Sequence, residues 1–177
     1  MPETTFTARL RRFDLHLSSA VRSICVALLG AIVLTISASV FSRFIIFNPL
    51  NFADALAKYL MQWMVFLGVG LAIRSGEHVL VDIVAVKLSR RSARVLLVLN
   101  NALVSVLLAV VAYYGTLNAL SATGSRDPFV FGISMAIPYA SVAVGAAYAL
   151  VQSNITTWLN LHDPDFSLQT PSTRLPE

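Results

Sequence analysis

Charge is what this sequence has least of. Only 12% of its 177 residues are Asp, Glu, Lys or Arg, about half the share with which a soluble domain covers its water-facing surface. A water-soluble globular fold is excluded on that ground. Cysteine occurs once, at Cys25, so neither an intrachain disulfide nor a cysteine-rich metal site can form. Its place inside an apolar run suits a small apolar filler. The three histidines, His16, His78 and His162, stand far apart, and no H-E-x-x-H or comparable metal-ligand spacing accompanies them. There is no G-x-S-x-G elbow, and the glycines of "LGVGL", Gly68 and Gly70, lie too deep in an apolar run to cradle phosphate. The parts of a hydrolase, a metalloenzyme and an ATPase are all missing. The chain reads as a non-enzyme without a cofactor.

What is abundant is apolar sequence, 56% of residues, in four blocks at about 20–46, 52–73, 95–120 and 129–159. Each is near the roughly 20 residues that cross a bilayer core as a helix. The expected fold is an all-α integral membrane protein with four transmembrane helices, one membrane domain over residues 1–160. A polar tail over 161–177, "LHDPDFSLQTPSTRLPE" with His162 at its start, is expected to be disordered. The lead before the first block is too charged, and that block too long, for a cleaved signal peptide. Its stretch "ARLRRFDLH" alternates charged and apolar residues and predicts a short surface helix over 8–16.

The net charge of +4 comes from an uneven placement of the 13 Lys and Arg. Arg9, Arg11, Arg12 and Arg22 precede or open the first span. Arg74, Lys87, Arg90, Arg91 and Arg94 lie between spans two and three, and Arg174 is in the tail. With four spans, these ten share one side, leaving Arg43, Lys58 and Arg126 for the other. The positive-inside rule makes the richer side, with both termini, cytoplasmic. The basic charge therefore marks topology and contact with anionic lipids, not nucleic acid.

A few polar residues break the apolar blocks. Asp54, Lys58 and Gln62 recur every four residues at the start of span two and share one helix stripe. That stripe is either a solvated interfacial turn or a seam for a partner, since polar groups at membrane depth usually face protein. Ser141, Gly145 and Ala149 in span four form a small-residue face that allows a second helix to approach closely. The stretch "RSGEHVLVDI" places Arg74, Glu77, His78 and Asp82 between two spans. One histidine with two acids is incomplete as a catalytic metal site. The residues alone leave a helper subunit and a stand-alone small transporter or channel as the two classes.

Residues 41–84 resemble the small membrane subunit, a DctQ-like small permease, of tripartite ATP-independent periplasmic (TRAP) transporters. Arg43-Phe44 fits the family's end of span one, Phe66-Leu67-Gly68 a later segment, and Arg74, His78, Val81 and Asp82 an R-x-x-x-H-[IV]-x-V-D motif. The chain departs from the family where a Trp and two glutamates usually open span two, having Phe52 and then Asp54-Ala55. The resemblance implies a multi-pass protein of the bacterial inner membrane. Its partners would be a large permease that imports an organic acid or similar solute with sodium and a periplasmic solute-binding protein. Substrate and sodium sites would lie in the large subunit. The small subunit would brace it, with Arg74, His78 and Asp82 docking the cytoplasmic loop and Asp54, Lys58 and Gln62 acting at the other end.

Overall fold

The computed structural model describes residues 5–75 and 90–162. It contains α1 (Thr5–Phe41), a π-helical turn (Ser42–Ile46), α2 (Ala53–Arg74) and α3 (Arg90–Ser121). A 3-10 turn (Ala122–Gly124), strands β1 (Arg126–Asp127) and β2 (Ile133–Ser134), and α4 (Ala136–His162) follow. Among the described residues, four helical stretches are long and apolar enough to cross a bilayer: Arg9–Ile46, Ala53–Arg74, Arg94–Gly124 and Ala136–Leu159.

Two boundaries differ from the expectation. The stretch over 8–16 is not a separate surface helix, because α1 runs unbroken for 37 residues from the charged lead into the apolar block. Between Thr5 and Phe41 there is no proline and one glycine, Gly30, and the lead is rich in Arg, Leu and Ala. Nothing there interrupts a helix once it has started. At the other boundary, Phe129 to Met135 do not belong to the last span. Pro128 and the left-handed Phe131 (φ 51°) and Gly132 (φ 69°) turn that stretch into a two-stranded hairpin, with Arg126 opposite Ser134 and Asp127 opposite Ile133. Helix α4 starts only after it, with Pro138 in its first turn, where a missing N–H costs no helical bond.

The end of α1 shows the same logic. The helix widens into a π turn, Phe47 takes a left-handed conformation (φ 54°), and its N–H returns to the Ser42 carbonyl. Asn48 N–H donates to that carbonyl too, at 3.2 Å. Pro49 then prevents the helix from resuming.

The helices form a row, not a closed bundle. Helix α1 packs on α2, α2 on α4, and α4 on α3, so the order across the row is α1-α2-α4-α3. In its most apolar stretch α4 has 44% of residues buried, α2 22%, α1 6% and α3 none. That gradient sets two middle helices between two edge helices. Most large apolar side chains of α1 and α3, such as Leu34, Leu99 and Leu103, are exposed. In water such a surface would drive aggregation; in a bilayer it faces lipid or other helices.

Close approach in the middle depends on small residues. Ser141, Gly145 and Ala149 share a buried face of α4. A Cβ added to Gly145 would strike the Cβ and main chain of Phe66 in α2, and one added to Gly70 would strike the Tyr148 ring. Gly115 of α3 lies less tightly against the α4 backbone, with the Ala143 nitrogen 3.1 Å from an added Cβ. Gly68, by contrast, has open space beside it. Gly145→Ala is therefore expected to lower stability by about 1–3 kcal/mol through overpacking. Gly68→Ala should be neutral or stabilising by up to about 1 kcal/mol, because alanine favours helix. Thermal unfolding of the two variants in one detergent checks the contrast.

Candidate functional site

Three charged and amide side chains from different helices meet at one end of the row. Asp14 projects from the early part of α1 and is only 6% exposed. Arg74, the last residue of α2, donates its Nε–H to Asp14 Oδ2 at 2.9 Å. Gln152 of α4, fully buried, donates its amide to Asp14 Oδ1. One carboxylate thus ties three helices together. The local fold prepares it, since Ser18 one turn on donates its hydroxyl to the Asp14 carbonyl at 2.8 Å and is itself buried.

The energetics of this node are asymmetric. Replacing a buried ion pair by apolar residues can be neutral, but removing one partner leaves a charge without compensation. Here the guanidinium is 28% exposed and the carboxylate 8%, so water screens Arg74 in part and Asp14 hardly at all. Asp14 is the member that most needs its partners. The hydroxyl of Tyr148 and Gln152 Oε1, one helical turn apart on α4, are also buried and have no hydrogen bond among the described residues. The interior at this end therefore carries further buried polar atoms beside the node.

A second polar contact lies on the next interface. Ser153 donates to Asn101 Oδ1 at 2.6 Å, the Asn101 amide reaches Asn154 Oδ1 at 3.4 Å, and Asn154 donates to Ser105 at 3.3 Å. These four side chains fasten α3 to α4 near the level of Gln152. Such interhelical bonds in membranes contribute on average about 0.6 kcal/mol each.

The opposite end is closed by a latch. Tyr59 of α2 donates its hydroxyl to Asp127 Oδ2 in the hairpin. The Phe129 N–H donates to Asp127 Oδ1 at 2.8 Å. These two bonds, Tyr59 first, hold the Asp127 carboxyl below the usual carboxylate range. Val130, next in the hairpin, is fully buried, and the Phe131 ring lies tilted against Phe52 with centroids 4.9 Å apart.

Set against the sequence expectations, the structure brings some residues together and leaves others apart. Arg74 meets Asp14, 60 residues upstream. Asp54 and Lys58 are both exposed on α2 and no ion pair joins them among the described residues, while Gln62 is half-buried. Tyr59, not this stripe, joins α2 to the hairpin at that end through Asp127. Arg43 is exposed in the π turn. His78 and Asp82 lie outside the described residues. Sequence reasoning missed Asp14, Gln152, Tyr59 and Asp127 as a structural set. The usable signals were Asp14 as the lone acid among Arg9, Arg11, Arg12 and Arg22, and Gln152 as an amide inside an apolar block.

The profile of one protein family, described as tripartite ATP-independent periplasmic transporters, DctQ component, matches residues 32–162. The chain belongs to this family, which supplies the small permease component of TRAP transporters and is a transporter family rather than an enzyme family. Members work beside a large permease and a periplasmic binding protein. No curated protein matches the chain. Asp14 lies outside the matched segment, whereas Arg74 and Gln152 lie inside it.

Two outcomes follow from the geometry. Asp14→Ala is expected to cost about 2–4 kcal/mol, below the 3–5 typical of breaking a fully buried pair because Arg74 is partly solvated. Combined with Arg74→Gln it should cost clearly less than the sum of the two, and a thermal-melt double-mutant cycle measures this. The Asp127 latch stabilises the fold fully above the ordinary carboxyl pKa of about 3.9 and loses its effect as pH falls through the lower folded value. Tyr59→Phe should move the Asp127 carboxyl up toward its ordinary value, as read by NMR titration.

Proposed function

We propose that this chain braces the large permease of a TRAP transporter in the bacterial inner membrane, with both of its own termini in the cytoplasm. The observation that carries this reading is the Asp14–Arg74–Gln152 node, which joins α1, α2 and α4 through buried polar contacts at one end. With the Tyr59–Asp127 latch at the other end, the row acts as a stiff strip. A brace needs such stiffness, because a partner that moves a substrate-bearing part must move it against something fixed.

The same reading assigns the chemistry of transport elsewhere. Solute, an organic acid or similar molecule, is delivered by the periplasmic binding protein and carried with sodium through the large permease. This chain holds neither substrate nor sodium and uses no cofactor. Its exposed apolar faces, on both sides of a one-layer row, give it room to meet lipid on one side and the permease on the other. His78 and Asp82 dock the cytoplasmic loop, and the exposed Asp54 and Lys58 are the outer charges available to a partner.

Uptake by the complete three-part system is expected to fall several-fold in Asp14→Ala, with the permease still present in the membrane but poorly recovered with this subunit. His78→Ala and Asp82→Ala should weaken co-purification in the same assay. Wild-type uptake together with wild-type co-purification in all three variants contradicts the bracing role. Transport by the purified chain alone in liposomes contradicts the whole assignment.

A further inference from the structure

Arg22 does not match the surface it occupies. It is exposed on α1, and Leu15, Val26, Leu29 and Val33 on the same helix stripe are exposed aliphatics, with buried Ser18 and half-buried Cys25 on its inner flank. Two contacts fix its level in the row. Asp14 pairs with Arg74, and the Cys25 thiol reaches the Met64 carbonyl at 4.0 Å. Eleven residues of α1 therefore run antiparallel to ten of α2, and Arg22, eight past Asp14, lies opposite Leu67. That is seven residues, about 10 Å, inside the end of α2.

A guanidinium on an apolar, outward face at that level needs an anion. Among the described residues Arg22 has no hydrogen bond or ion pair. Helical side chains lean toward the N-terminus, which for Arg22 is the end carrying the exposed Arg9, Arg11 and Arg12. That arginine-rich stretch draws anionic headgroups to this edge of α1. One turn back from Arg22, Ser19 is exposed and can add a hydroxyl donor. We propose that Arg22 binds the phosphate of an anionic phospholipid, held against the outer edge of α1 with its acyl chains along Val26, Leu29 and Val33. A planar guanidinium offers two parallel N–H donors to a phosphate, which favours this contact over a solvated charge.

The test uses phosphatidylglycerol and the complex purified with its partner in mild detergent, read by native mass spectrometry. Wild type is expected to retain the lipid, Arg22→Lys to hold it less well than wild type but better than Arg22→Gln, and Arg22→Gln to lower its occupancy about fivefold, the effect of one basic residue at a membrane surface. Unchanged occupancy in Arg22→Gln overturns the proposal. So does unchanged occupancy with loss of the partner chain, which would assign Arg22 to a partner's carboxylate. A measurement independent of any variant uses phosphatidylglycerol bearing a photoreactive group near its headgroup. Its adduct on the wild type is expected between Leu15 and Val26, and adducts confined to other helices contradict the site.

Discussion

One buried carboxylate organises this molecule. Asp14 is 6% exposed, so almost no water reaches its carboxylate and it must find its partners within the protein. It finds them on two other helices, Arg74 at the end of α2 and Gln152 within α4. That requirement explains why α1 continues as helix through its charged lead: only a continuous helix carries Asp14 to the level where α2 ends. It also fixes register, because a slip of one residue along α1 would rotate the carboxylate away from both donors.

The remaining contacts are weaker and arranged around this one. Small residues let α2 and α4 approach until Phe66 lies on Gly145 and Tyr148 on Gly70. The Asn101–Asn154 pair and its serine neighbours add the fourth helix at the edge. Because the helices line up in a row, each edge helix packs mainly on one neighbour, α1 meeting α4 only around Asp14 and Gln152, and the apolar surface left over is large. A one-layer membrane protein of this kind is completed by what lies beside it, which fits a subunit of a larger transporter.

Much of this was legible in the sequence, for reasons that can be stated. The four spans follow from apolar blocks of bilayer length, and the family from Arg43, the Phe66-Leu67-Gly68 segment and the Arg74 motif. Two boundaries were not legible. The surface-helix pattern of residues 8–16 is equally the start of a longer helix, and periodicity alone cannot distinguish them. The hairpin around Phe129–Ile133 is as apolar as a span, and only Pro128, Gly132 and the Asp127 side chain turn it away from helix. The node itself was hidden because its members are 60 and 138 residues apart. Spacing rules see one helix at a time. A lone acid in a basic segment and an amide in an apolar block each pointed to a missing partner, without saying that each was the other's.

The measurement that bears most directly on the account is amide hydrogen exchange in the intact complex, comparing wild type with Arg74→Gln. If the node clamps α1, amides from Asp14 to Arg22 are protected in wild type and exchange faster in the variant, together with the end of α2 and the Gln152 turn of α4. If the variant exchanges like wild type through those three segments, the helices are held by their apolar contacts alone, and the buried carboxylate is not what organises the row.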